Sequence, residues 1–244
     1  GYVTPQGQFA QTSGGMIAGQ GGSISLQTYV EPGGKAFGTS NGPPMPSQQP
    51  TQGTITLDGV LRGYGFSGGG TLTLRALGIQ IGGAAPAEPY DLMLPGDFFS
   101  QGGFGAYNLA ALYDATVVAG TTVTVSERNF IPTAALQQAP TGSNLYGAGV
   151  AAPDGSLVSI GAVDPYFRQA ANFSLTAGGF ENWGGARFGV TGTLLIDQGA
   201  SILADPGASV ALASNNQVTE LGTIVAHGGS ISLTSTPTLS FNSG

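Results

Sequence analysis

Asp164, Arg168, Glu181 and Arg187, flanked by Tyr166 and Trp183, form the one mixed grouping of charges and aromatic rings in the sequence. Such a grouping suits a sugar: a flat ring stacks on an apolar pyranose face while ionised groups take up hydroxyls. Tyr166, Trp183, Asp164 and Arg187 are therefore the candidate glycan contacts. The same composition also suits an insertion that anchors itself to its own scaffold by aromatic packing and ion pairs. Glycoside hydrolysis would need two carboxyl groups about 5 to 9.5 Å apart. The thirteen acids are instead dispersed, and Asp58, Asp154, Asp197 and Asp205 each lie within two residues of a Gly, the last in a Pro-Gly turn. Turn chemistry accounts for these four, and no catalytic residue is expected.

The remaining motifs point away from cofactors and metals. Gly63, Gly65 and Gly68 in GYGFSG match the spacing of a dinucleotide fingerprint, as Gly147 and Gly149 in GAGVAA nearly do. That fingerprint works by placing a pyrophosphate on a helix N-terminus. Here the first is followed by GGGTLTL, a strand pattern, and the second by Pro153, so no cofactor is expected. His227 is the only histidine and cysteine is absent, which removes multi-histidine metal sites, thiolate chemistry and disulfides. The calcium-binding nonapeptide does not occur. Asn172-Phe173-Ser174 is a glycosylation sequon, but it lies in a strand pattern.

Charged residues make up 8% of the chain against 41% hydrophobic, where an ordinary soluble protein carries about 25% charged. Ser, Thr, Asn and Gln must solvate the surface. With 43 glycines and no Gly-X-Y period, the composition is that of turn-dense β structure and not of collagen. Six dispersed Lys and Arg and a net charge of −7 offer no basic stripe, so nucleic acid is not an expected partner. No apolar run reaches 18 residues.

The elements that would position any site are clearest in residues 191–233. Alternating apolar positions fall at Leu194 and Ile196, Ile202, Val210 and Leu212, Ile224, then Ile231 and Leu233, with Gly, Asn, Asp, Pro and Ser between them. Each run is one strand long and ends in a turn signal. One such coil cannot bury its apolar face alone, whereas stacked coils fill a shared interior column with strands about 4.8 Å apart. The pattern predicts a parallel β-helix, with an antiparallel sandwich as the alternative. GGSISL occurring at both 21–26 and 228–233 favours the solenoid.

In chain order, Ile24 and Leu26 mark a first coil, Ile55 and Leu57 with Leu72 and Leu74 an uninterrupted one, and Val117, Val123 and Val125 another. Residues 31–53, 83–115 and 132–156 break the alternation and are expected to be loop insertions. Phe98, Phe99, Phe104, Tyr107 and Tyr113 would pack the second of these against the coil flank. Residues 161–190 form a decorated coil in which Phe173 and Leu175 keep strand spacing. The whole of 1–244 is expected to be a single β-helix segment, an internal or processed part of a longer chain.

GTLLIDQGASILADPGASVALAS and FFSQGGFGAYNLAALYDATVVAGTTVTV resemble the filamentous haemagglutinin-type exoproteins of bacteria. The resemblance covers most of the chain and is strongest at 53–126 and 191–233. It implies a right-handed parallel β-helix, secretion through an outer-membrane partner, an extracellular or cell-surface location and a role in adhesion. It supplies no catalytic residues. The expected function is a non-enzymatic, rigid spacer whose loops contact a glycan or protein on a host or neighbouring cell. The alternatives are a self-assembling filament or matrix subunit that associates through open coil ends, and a β-helical polysaccharide-active enzyme.

Overall fold

Alternation of Ile, Leu and Val with Ser and Thr gives each short run one apolar face, and the chain buries those faces by parallel pairing. The structure, a computed structural model, describes residues 2–3, 9–10, 20–28, 54–140, 142–149, 152–162, 164, 168–183 and 186–236. Among them the strands are β1 (Tyr2–Val3), β2 (Phe9–Ala10), β3 (Ser23–Gln27), β4 (Gly70–Ala76), β5 (Gly78–Ile81), β6 (Asp91–Leu94), β7 (Phe104–Ala111), β8 (Ala115–Val117), β9 (Thr122–Val125) and β10 (Asn129–Pro132). There follow β11 (Val158–Gly161), β12 (Asn172–Ala177), β13 (Gly179–Trp183), β14 (Ala186–Val190), β15 (Thr193–Ile196), β16 (Ser201–Ala204), β17 (Ser209–Ser214), β18 (Gln217–Glu220), β19 (Thr223–Ala226) and β20 (Ser230–Ser235).

The protein is all-β and its main sheets are parallel. A six-stranded sheet runs β20-β17-β12-β7-β4-β3, a five-stranded one β18-β15-β8-β5-β6, and a three-stranded one β19-β16-β9. From β15 onward the chain visits the second, third and first sheets in turn, then repeats that order through β18, β19 and β20. Each strand pairs in parallel with its counterpart one passage earlier. Parallel pairing throughout these sheets rules out the antiparallel sandwich. Among the described residues antiparallel pairing is confined to β1-β2, β10-β11 and β13-β14.

Register carries the core. Ile24, Leu72, Tyr107, Phe173, Val210 and Ile231 align across the six-stranded sheet, and so do Leu26, Leu74, Leu109, Leu175, Leu212 and Leu233. From β3 to β17 both columns face one hydrophobic core, to which the second sheet adds Ile79, Ile81, Val117, Leu194 and Ile196 and the third Val123, Val125 and Ile202. The outer row of the six-stranded sheet is polar at five of its six positions, Ser25, Thr73, Asn108, Ser174 and Ser232, with Ala211 the exception. The two copies of GGSISL thus supply β3 and β20, the opposite edges of one sheet.

Close stacking explains particular glycines. A Cβ on Gly21 would fall 1.8 Å from the Gly63 carbonyl oxygen, so only glycine lets these backbones meet. Gly178 has φ +84, and a Cβ there would meet Asn215 Oδ1 at 1.9 Å. Asn215 is the pin at that corner: its Oδ1 accepts from Gly192 N at 3.0 Å and its Nδ2 donates to Val190 O at 2.7 Å.

Several expectations need correction. Residues 83–115 are not a loop insertion, since they contain β6, a 3-10 turn at Gly96–Ser100 and the interior strand β7. Phe99, Phe104 and Tyr107 do not pack on the flank either. All three are buried, with Phe99 edge-on to Tyr107 and Phe173 at 5.2 and 5.1 Å. The alternation signal was hidden there because aromatic and small residues, not Ile or Val, fill the inward positions. Ile55 and Leu57 pack against the core without forming a strand, so that coil is interrupted. Residues 31–53 lie outside the described part, and 132–156 joins β10 to β11 with a 3-10 turn at Ala134–Gln138.

Candidate functional site, an aromatic cleft over a buried polar anchor

The alternation of β9 continues past its end, so that Val123, Val125, Glu127 and Asn129 are all buried in succession. The last two are polar, and they need partners inside. Glu127 Oε1 accepts from Gly69 N at 2.7 Å and from Asn129 Nδ2, while Asn129 Oδ1 accepts from Gly65 N at 2.8 Å. Glu127 N in turn donates to Asp205 Oδ2 at 3.2 Å. Asp205 accepts from two of the three guanidinium nitrogens of Arg168, Nε at 2.9 Å to Oδ2 and Nη2 to Oδ1. These bonds tie the glycine-rich turn before β4, the start of β10 and the β16-β17 turn into one block. Burial pushes the Glu127 carboxyl up; the bonds from Gly69 and Asn129 and the Arg168 charge pull the other way, and the Asp205 charge adds to the rise. Its Oε2 has no partner among the described residues.

The anchored block holds a cleft. Phe130, the residue after Asn129, stands between Tyr64 (ring centroids 5.6 Å apart), Phe66 (5.1 Å) and Tyr146 (6.2 Å). Arg62, Tyr64, Phe130, Tyr146, Ala152, Pro153 and Ile160 line a cleft of about 90 Å³. Tyr64 is fixed by its hydroxyl, which donates to Gln101 O at 2.6 Å. Tyr146 is fixed by the loop that carries it: Asp154 accepts from Ala148 N, Ser156 N and Ser156 Oγ, and Asp154 N donates to Tyr146 O. The Ser156 hydroxyl and the two amides hold the Asp154 carboxyl down at about 2. A small cluster of Leu136 and Val158, with Phe66, Phe130 and Leu145 against it, supports the cleft from behind.

This arrangement offers flat rings, one guanidinium and backbone polar groups. Among the residues that line it there is no carboxylate, histidine or serine. Among the described residues no group of three His, Cys, Asp or Glu could hold a metal ion.

The structure distributes the residues singled out in the sequence. Asp164 is exposed, and its carbonyl accepts from Arg168 N at 3.2 Å. Trp183 and Arg187 lie on the paired strands β13 and β14, in the registers Trp183↔Ala186 and Asn182↔Arg187. Their side chains, that of Glu181 and the whole of Tyr166 fall outside the described residues. Arg168 is directed inward to Asp205, so Asp205 is not merely a turn former. Asp154 and Asp197 do serve turns, Asp197 accepting from Gln198 N. Gly63, Gly65 and Gly68 lead into β4 and not into a helix, and His227 is exposed at the β19-β20 turn. The cleft residues went unnoticed because they come from three distant stretches. Glu127 and Asn129 carried a usable signal, the unbroken period of two from Val123.

The chain matches no protein-family model, no curated protein and no solved structure.

Proposed function

We propose that this chain is a rigid, non-enzymatic segment of right-handed parallel β-helix from an exported bacterial exoprotein of filamentous haemagglutinin type, displaying its irregular segments for attachment at the cell surface. The observation that supports this most is the repeated passage through three parallel sheets in fixed register, with two apolar columns running through all six strands of one sheet. In such a stack each repeat rests only on its neighbours, and insertions within a repeat emerge as loops. The β10-β11 hairpin is one such corner insertion, and the cleft it carries is the attachment point. Tyr64, Phe130 and Tyr146 take the apolar face of a sugar ring and Arg62 takes its hydroxyl or carboxylate edge. Export would use an outer-membrane secretion partner.

The test is binding of the purified chain to immobilised cell-surface glycans, followed by surface plasmon resonance. Tyr146→Ala and Tyr64→Ala should each weaken binding by about 1 kcal/mol, roughly fivefold. Retained affinity in both variants would remove the cleft from the account. Release of reducing sugar ends from a polysaccharide would replace the non-enzymatic reading with the enzymatic one.

A further inference from the structure

The two edges of the six-stranded sheet are made by the same hexapeptide, and they are complementary. At one edge β20 pairs with β17 on its inner side, and among the described residues no strand lies beyond it. Ile231 and Leu233 are 45% and 47% exposed, although Val210 and Leu212, their register equivalents one strand inward, are 0% and 1% exposed. At the other edge Ile24 and Leu26 of β3 are half-buried against Leu72 and Leu74. Among the described residues both columns thus end at β3 and β20, with Ile and Leu in the same order.

Edge strands are ordinarily protected by charge, proline or a bulge. SISLQ in β3 and SISLTS in β20 contain neither charge nor proline. Their pairings with β4 and β17 are unbroken in register. Every pairing within this sheet is parallel, so a second molecule displaced along the hydrogen-bonding direction presents its β3 to β20 in the orientation already used inside the sheet.

We propose that copies of this chain stack head to tail, with β20 of one pairing in parallel with β3 of the next so that Ile231 meets Ile24 and Leu233 meets Leu26. The junction repeats contacts found inside the molecule: apolar columns continue inward and serines face one another outward, as Ser230 Oγ and Ser209 Oγ do at 3.1 Å. A contact between two different edges is heterologous, and because each copy is displaced along the stacking direction the product is an open filament. This goes beyond the attachment role proposed above and rests on the parallel strand order of the sheet, not on the glycan cleft.

The absence of cysteine makes a clean test with the full chain. In the proposed junction Ser232 faces Ser25 of the next copy. Adjacent strands lie about 4.8 Å apart, within the reach of a disulfide. Inside one molecule the two positions are five strand spacings apart, about 24 Å, and cannot be bridged. Oxidised Ser25→Cys/Ser232→Cys protein should run as a ladder of covalent multimers, and an equimolar mixture of the two single variants should give the mixed dimer as its main product. Leu233→Lys, placed at an exposed position, should abolish the ladder while circular dichroism keeps the strand signal. A monomeric double variant, a Ser232→Cys variant that links to itself as readily as to Ser25→Cys, or a ladder that survives Leu233→Lys would overturn the proposal. Glycan binding is scored separately on the same preparations, so loss of stacking and loss of attachment are told apart.

Discussion

Arg168 donates through Nε and Nη2 to the two carboxylate oxygens of Asp205, and the pair is almost wholly enclosed, at 12% and 6% side-chain exposure. It closes the polar block that also holds Glu127 N. Removing one member leaves the other charge buried and uncompensated, which costs about 3–5 kcal/mol. Arg168→Ala should show that loss in urea unfolding at neutral pH, and Asp205→Ala should match it. If either variant unfolds within about 1 kcal/mol of the native protein, the pair is not the anchor described.

The acid in the same block gives stability a pH dependence of defined sign. Burial raises the folded-state pKa of Glu127 above its ordinary value of 4.5. The native state then holds a proton that the unfolded chain releases first, so this contribution is complete below about pH 4.5 and is lost as pH rises through the folded value. Glu127→Gln keeps an acceptor for Gly69 N and Asn129 Nδ2 and should remove that decline. Urea midpoints measured from pH 4 to pH 8 check it, the variant gaining on the native protein toward the upper end. Asp154 acts with the opposite sign: its lowered value, about 2, makes its contribution vanish as pH falls from ordinary carboxylate values toward 2.

Position along the column should set the cost of truncation. Leu175 is fully buried between Leu109 and Leu212, whereas Leu233 ends the same column at 47% exposure. Leu175→Ala should destabilise by about 2–5 kcal/mol. Leu233→Ala should cost about 1 kcal/mol or less in the dispersed protein, since little transfer energy is at stake there. Equal losses at the two sites, measured in dilute solution, would mean that β20 is covered.

The loop behind the cleft depends on one carboxylate. Asp154→Ala removes the acceptor of Ala148 N, Ser156 N and Ser156 Oγ and with it the restraint on Tyr146. Amide exchange at Ala148 and Ser156 should quicken together, and glycan affinity should fall as it does in Tyr146→Ala. Unchanged exchange would show that the hydrophobic cluster behind the cleft suffices to hold the loop.

Where inward positions carry Ile, Leu or Val in strict alternation, as at Leu194, Ile196, Val210 and Leu212, the sequence reading and the strands coincide. It fails where packing uses other residues. In β7 the inward side is Phe104, Tyr107, Leu109 and Ala111, a mixture of large and small whose sum fills the core although no single period stands out. In β18 the strand is specified by pairing with β15 more than by its own QVTE. Asp205 looks like a turn residue locally, and only the distant Arg168 reveals its second role. The cleft was illegible for the same reason, since Tyr64, Phe130 and Tyr146 meet only after the hairpin folds over the glycine-rich turn.

The most direct test of the stacked architecture is a set of spin-label distances along the outer polar row, recorded with labelled chains diluted in unlabelled protein. Five strand spacings separate Ser25 from Ser232 and four separate Thr73 from Ser232, which predicts about 24 Å and about 19 Å between backbones. Two narrow distributions differing by one strand spacing would match the stack. Equal distances, or a Ser25–Ser232 distance unrelated to that spacing, would contradict it.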